Sequence, residues 1–314
     1  MLYLEELVDT VLAEEGQTLM GLDFLFETLE LPMTKIERIF KKALSEYSER
    51  RPMKKTEVFN NYDMDGYITM PEGTLAARTC RYGILPNQMP RFYMPTFGEQ
   101  NVEYDPSTNT LKVWPPITPV RITYLQRYTA TKNILIEQNL DVPFATNSIC
   151  TELSTMFAGK TLTLQRQDVD ANGNPGILSM SATGEIIEEE ELGEINVINK
   201  KALLSGELGT GTINLDTLEL QAEFKESSTA PIIISYYPKY LVCKEMNIGN
   251  YMFTKLFASK LLTALASLRA QATQEKLHNI DLTSDELLDR ASELRTEVNK
   301  LLKNTWGAGI SAPV

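Results

Sequence analysis

Residues 36–52 read IERIFKKALSEYSERRP, and the fold class turns on this stretch. Ile36, Ile39, Phe40, Ala43, Leu44 and Tyr47 recur at the three- and four-residue intervals of one helix face. Pro52 predicts a stop, because a proline pushes the residue before it out of the helical region. Beyond it the apolar period changes from about 3.6 residues to about 2, so the chain passes from helix to strand here. Upstream, Thr34 stands three residues before Glu37, the spacing of a capping box that would start the helix.

Working outward, Leu4, Leu7, Val8, Val11 and Leu12 form an earlier apolar stripe, so residues 1–52 read as an N-terminal helical segment. Residues 53–144 read as a β-region, with prolines and glycines punctuating short runs of β-branched and aromatic residues. The strand candidates there are 67–70, 101–104, 110–114 and 120–127. Residues 145–210 are more polar, carry the acidic run Glu188–Glu191, and read as an inserted β-rich lobe with candidates at 160–167, 177–182 and 195–198. The β-region continues over 211–240, with candidates at 212–215, 219–224 and 232–236. Residues 241–303 return to helix: Leu256, Phe257, Lys260, Leu261, Ala264, Leu265 and Leu268 keep helical spacing, and Leu287, Leu288, Ala291, Leu294, Val298, Leu301 and Leu302 are expected to line one face of the next helix. Thr283 and Glu286 form a second capping box. Residues 304–314 have no period and read as an extended tail. The expected class is α+β, with helices at both chain ends packed together and a central antiparallel β-region carrying the inserted lobe.

Two segments echo one another: VEYDPSTNTLKVWPPITPVRITYLQRY (102–128) and TINLDTLELQAEFKESSTAPIIISYYPKY (212–240). Each runs strand, Asp-led turn, strand, loop and a last strand with tyrosines four apart, Tyr124 and Tyr128 or Tyr236 and Tyr240. Shared turn chemistry and a topologically equivalent unit both account for this.

The residues offer little chemistry. The three cysteines, Cys80, Cys150 and Cys243, are far apart and form no CxxC pair, which argues against a zinc site and a disulfide framework. A single histidine, His278, cannot supply a metal cluster. Asp168, Asp170, Asn172 and Gly173 copy the opening of a calcium loop, but Ser179 stands where a bidentate Glu is required, and Asn172-Gly173 is a hairpin turn signal. Gly206, Gly209 and Gly211 read as turn glycines rather than a phosphate loop, since no helix follows. No cofactor or metal, and no enzyme, is expected. The net charge of −12 weighs against a surface that grips phosphates, and Lys41-Lys42, Arg50-Arg51 and Lys54-Lys55 read as solvated faces. No stretch is long and apolar enough for a membrane span, and the acidic first residues do not read as an export signal.

The phrases Tyr47-Ser48-Glu49-Arg50-Arg51-Pro52 and Tyr67-Ile68-Thr69-Met70-Pro71, with Tyr236-Tyr237-Pro238 before the last helices, give the chain its resemblance. It resembles the head-to-tail connector (neck or adaptor) proteins of tailed bacteriophages over the first 75 or so and the last 80 or so residues. Its length exceeds that of the common connectors and suits the larger neck proteins of contractile-tailed phages. The resemblance implies a structural virion subunit, assembled in the host cytoplasm. Its partners would be copies of itself in a ring, with portal and tail proteins on either side and passive contact with DNA in the channel. It also implies that the tail docks on a neighbour through Trp306, Ile310 and Val314. Another virion part, such as a tail terminator or baseplate β-protein, and a carbohydrate-binding or adhesin-like β-module remain alternatives.

Overall fold

The computed structural model describes residues 1–60, 65–82, 103–112, 120–169, 175–192, 195–206, 209–215, 217–272 and 281–305. In chain order the first elements are β1 (Leu2–Tyr3), α1 (Leu4–Gly16), α2 (Leu22–Thr28), α3 (Met33–Arg50), β2 (Met53–Phe59), β3 (Tyr67–Thr69) and β4 (Thr74–Tyr82). There follow β5 (Glu103–Asp105), β6 (Thr110–Lys112), β7 (Val120–Gln126), β8 (Ile136–Leu140), β9 (Thr146–Glu152), β10 (Phe157–Val169) and β11 (Pro175–Leu192). The remainder are β12 (Ile195–Gly206), β13 (Gly209–Asn214), β14 (Glu219–Ser228), β15 (Ile232–Pro238), β16 (Val242–Cys243), α4 (Tyr251–Gln271) and α5 (Ser284–Thr305). The class is α+β, with helices at both chain ends and antiparallel strands between them.

The chain divides into two units. One comprises Met1–Val8 with Ala130–Cys243, the other Asp9–Thr129 with Lys244–Val314. The divide therefore falls differently from the sequence reading, which set 145–210 apart as an insertion between β-regions. Strands from 130–144, 145–210 and 211–240 interleave in one eight-stranded sheet of order β8-β15-β10-β11-β12-β13-β14-β9, so none of the three stretches stands alone.

That sheet encloses its own core. Along β14, Leu220, Ala222 and Phe224 are buried and the residues between them are exposed. Ile232, Ile234 and Tyr236 of β15, and Leu162 and Leu164 of β10, face the same interior by the two-residue period of a strand. Arg166 continues the β10 row at 2% exposure. Its guanidinium lies 5.0 Å over the Phe224 ring and donates to the Glu226 carbonyl at 3.0 Å. The edge strands β8 and β9 follow one another in sequence yet sit at opposite ends of the order. A side chain joins them instead of a ladder: the Gln138 amide donates to the Glu152 carbonyl at 2.9 Å, and its oxygen accepts from the Ser154 amide at 3.2 Å and hydroxyl at 3.1 Å. Gln138→Ala is expected to cost about 1 kcal/mol by deleting this seam. It should also speed hydrogen exchange at Ser154 while leaving the β10–β15 ladder protected.

β11 and β12 outrun the rest of the sheet. β10 pairs with β11 only up to Ser181, and β13 pairs with β12 only from Lys201 onward. From Ile187↔Lys200 to Leu192↔Ile195 the two strands pair with each other and with no third strand among the described residues. The result is an arm about 20 Å long, at about 3.3 Å per residue. The hairpin that carries Asn172-Gly173 is formed at the level of its strands, with Val169 opposite Pro175, while the turn itself lies outside the described residues.

The second unit is built on helices. Phe40 of α3 meets Phe253 and Phe257 of α4 edge-on, with centroids 5.7 and 6.1 Å apart. Tyr47 packs on Phe253 and Tyr128, and its hydroxyl bonds to Asn250, whose side chain caps α4 by accepting from the Phe253 amide. Buried Ser48 accepts from the Tyr128 amide at 3.0 Å, fixing the end of β7 against α3. Buried Glu15 of α1 takes Arg290 of α5 at 2.7 Å, so helices from both chain ends meet. Two small sheets, β2-β7-β4 and β3-β6-β5, enclose Ile68, Met70, Leu111, Val120, Ile122 and Tyr124.

One capping box forms and the other does not. At α5, Thr283 Oγ1 accepts from the Glu286 amide at 3.3 Å and Glu286 accepts from the Thr283 amide at 2.7 Å. At α3, Pro32 takes the N-cap position with no side-chain cap, and Thr34 already lies inside the helix. The echoed segments share a pairing pattern: β5–β6 and β13–β14 are hairpins, and β7 and β15 each leave theirs to sit between two other strands. They differ in sheet membership, because β15 rejoins the sheet of its hairpin and β7 does not. Both inward tyrosines, Tyr124 and Tyr236, are fully buried.

Candidate functional site

The helical unit carries a groove of about 710 Å³ between α3, α4 and α5. The apolar stripe of α3 turns Ile36, Phe40, Ala43 and Tyr47 inward, so Lys35, Arg38 and Lys42, at i, i+3 and i+7, share another face and form one wall. The floor is shallow-chained: Ser259, Thr263 and Ser267 of α4 recur every four residues, and Ala291 and Ser292 of α5 face them. Thr263 turns its hydroxyl back to the Ser259 carbonyl at 2.7 Å. Among the described residues, Lys260 and Arg295 complete a lining with five cations and no carboxylate.

Those cations are unequally neutralised. Glu46, just outside the groove, takes Lys260 at 2.6 Å and Arg295 at 3.9 Å, besides Arg50 at 3.2 Å on its own helix. Lys35, Arg38 and Lys42 make no ion pair among the described residues. Partial burial is the largest single influence on the Glu46 carboxyl and acts upward. The Lys260 hydrogen bond and the three cationic charges together outweigh it, holding the group below the ordinary glutamate value. A carboxylate depressed on folding stabilises the native state above its unfolded pKa, and that contribution is lost as pH falls through the folded value. Glu46→Gln is therefore expected to lower the melting temperature at about pH 6, with the gap to wild type narrowing as pH falls below the ordinary glutamate range. A gap that persists at acid pH would show that Glu46 acts through packing rather than charge.

A second concavity of about 760 Å³ lies on the sheet, over β9, β12, β13 and β14. Exposed Cys150 lines it, but its thiol donates to Glu219 at 3.0 Å and is held above the ordinary thiol range by that bond. A thiol shifted in that direction is a poorer nucleophile than an ordinary one, so Cys150 is not an activated group. Among the described residues no group of three or more His, Cys, Asp or Glu side chains could hold a metal ion. Asp168 lies in β10, opposite Gly176. Asp170, Asn172, Gly173 and His278 lie outside the described residues, as do Trp306, Ile310 and Val314 of the expected tail anchor. No described helix is long and apolar enough to cross a membrane.

The sequence reading passed over the groove. Lys41-Lys42 was read as a solvated face, and Lys41 and Lys42 are indeed exposed, yet Lys42 belongs with Lys35 and Arg38. The i, i+3, i+7 spacing of those three was the available signal. Lys260 and Arg295 join them only through the packing of α4 and α5. No family model, curated protein or solved structure matches the chain.

Proposed function

We propose that the chain is a structural subunit that works as one copy among several, in a ring of the head-to-tail connector of a tailed bacteriophage. The arm formed by β11 and β12 is the observation that carries this reading. A two-stranded ribbon is marginal by itself in water, because it buries too little surface to offset the ordering of its backbone. Such an arm becomes useful when a neighbour receives it, either by extending a sheet or by occupying a groove. The short apolar tail residues Trp306, Ile310 and Val314 would give a second contact of the same kind.

The test is to raise antibodies against the protein and apply them, gold-labelled, to purified particles of the phage that encodes it. Label at the head–tail junction is expected. Label at the baseplate or fibres, or particles without label, would reject the connector assignment.

A further inference from the structure

We propose that the groove between α3, α4 and α5 receives the acidic arm of a second copy of this chain. The inference rests on the reading of the chain as an assembling subunit and names the contact through which copies join. Among the described residues, three groove cations, Lys35, Arg38 and Lys42, lack an ion pair, and no carboxylate lines the groove. The arm is complementary in charge. Its first strand, β11, reads EIIEEEEL over 185–192, a denser run of acid than any other in the sequence. Across the ladder, Glu188, Glu189, Glu190 and Glu191 stand opposite Asn199, Ile198, Val197 and Asn196, so their direct cross-strand neighbours include no cation. The run sets four consecutive glutamates on a ribbon that has no third strand among the described residues, and a cationic groove is its complement in charge.

The floor of the groove permits the approach. Serine, threonine and alanine side chains are short, so a ribbon can settle between the longer cationic chains rather than ride above them. A nucleic acid is the less favoured occupant. A phosphate-gripping face is expected to be broadly basic, whereas this chain carries −12 and Glu46 already engages two of the five groove cations. An arm of one copy in the groove of the next is a heterologous contact, and such contacts close into rings when the rotation between copies closes. Being electrostatic and partly solvated, the contact should be salt-sensitive and should dissociate on dilution.

Three forms of the full chain test this: wild type, a groove-reversed form (Lys35→Glu, Arg38→Glu, Lys42→Glu) and an arm-reversed form (Glu188→Lys, Glu189→Lys, Glu191→Lys). Circular dichroism first confirms that each is folded. Wild type is expected to associate with rising concentration, at least about tenfold more weakly in about 0.5 M salt than in about 0.05 M. Each reversed form alone should stay monomeric, since like then meets like. Their mixture should associate again, because each supplies the opposite charge to the other. Independently, carbodiimide coupling of isotope-labelled with unlabelled wild type should join arm glutamates of one copy to Lys35 or Lys42 of another. Reversed forms that associate as well as wild type, folded forms whose mixture fails to associate, or mixed-isotope links that exclude the arm would each overturn the proposal. So would groove reversal that abolishes binding of a short DNA duplex while self-association is unchanged. Gold label at the head–tail junction, combined with any of these results, removes the contact and leaves the connector reading standing.

Discussion

Replacing Phe40 by alanine is expected to remove about 4 kcal/mol from the stability of the helical unit. Phe40 is fully buried and stands edge-on to both Phe253 and Phe257, so one side chain of α3 fills the seam against α4. Truncation loses the transfer energy of the ring and leaves a cavity that the aromatic partners, each fixed on one helix, cannot collapse to fill. It also deletes two ring–ring contacts whose geometry adds to their buried area. The groove lies along the same α3–α4 seam, and Ile39, the residue before Phe40, is part of its lining. A drop in melting temperature of about 10 °C is expected. Lys41→Ala, one residue on and exposed, serves as the control and should leave melting unchanged. A fall of only a degree or two for Phe40→Ala would mean that α3 and α4 do not depend on this seam.

The periodic elements were legible in the sequence because burial on one face leaves a period. The stripe of α3, its stop before Pro52 and the capping box at Thr283 are present as read. All ten strand candidates fall on observed strands, with altered ends. The strands passed over have a common property: β2, β4, β8 and β9 each lie at the edge of a sheet. An edge strand has fewer neighbours to bury it, so its side chains are freer to be polar and its period is weak. Lys54 and Lys55 illustrate this in β2, a strand whose residues are all half-buried or exposed. The two-residue strands β1 and β16 are too short to carry a period at all.

What a period cannot encode is which strands become neighbours. Nothing local to residues 141–145 tells that β8 and β9 part to opposite ends of one sheet, or that Gln138 then joins them. Residues 145–210 looked inserted because they are polar and acidic. Much of that polarity belongs to the arm, which lacks a third strand, while β9, β10 and the ends of β11 and β12 are ordinary members of the sheet. The groove was hidden for the same reason: its cations come from three helices, of which α3 (Met33–Arg50) lies far along the chain from α4 (Tyr251–Gln271) and α5 (Ser284–Thr305), and only tertiary packing sums their charge.

The glycines of GELGTGT show how a correct observation about composition can receive the wrong structural cause, and they supply the other large effect. Read as turn residues, Gly209 and Gly211 instead lie within β13, paired with Phe224 and Ala222 of β14. A glycine inside a strand marks a place where another backbone comes close. A Cβ on Gly209 would enter the van der Waals shell of the Glu223 carbonyl oxygen, and one on Gly211 would stand 2.6 Å from the Gln221 carbonyl oxygen. Both obstacles are main chain, so no rotamer change relieves them; β14 must move away and its ladder to β13 must loosen. Since β14 also carries Leu220, Ala222 and Phe224 into the core, the displacement opens the interior. Gly209→Ala is accordingly expected to cost about 3 kcal/mol, with Gly211→Ala somewhat less, as overpacking against an unyielding neighbour does. Hydrogen exchange should rise along β13 and β14 and remain slow in α3 and α4. If these were turn glycines in open space, alanine at either position would leave exchange in β14 as in wild type.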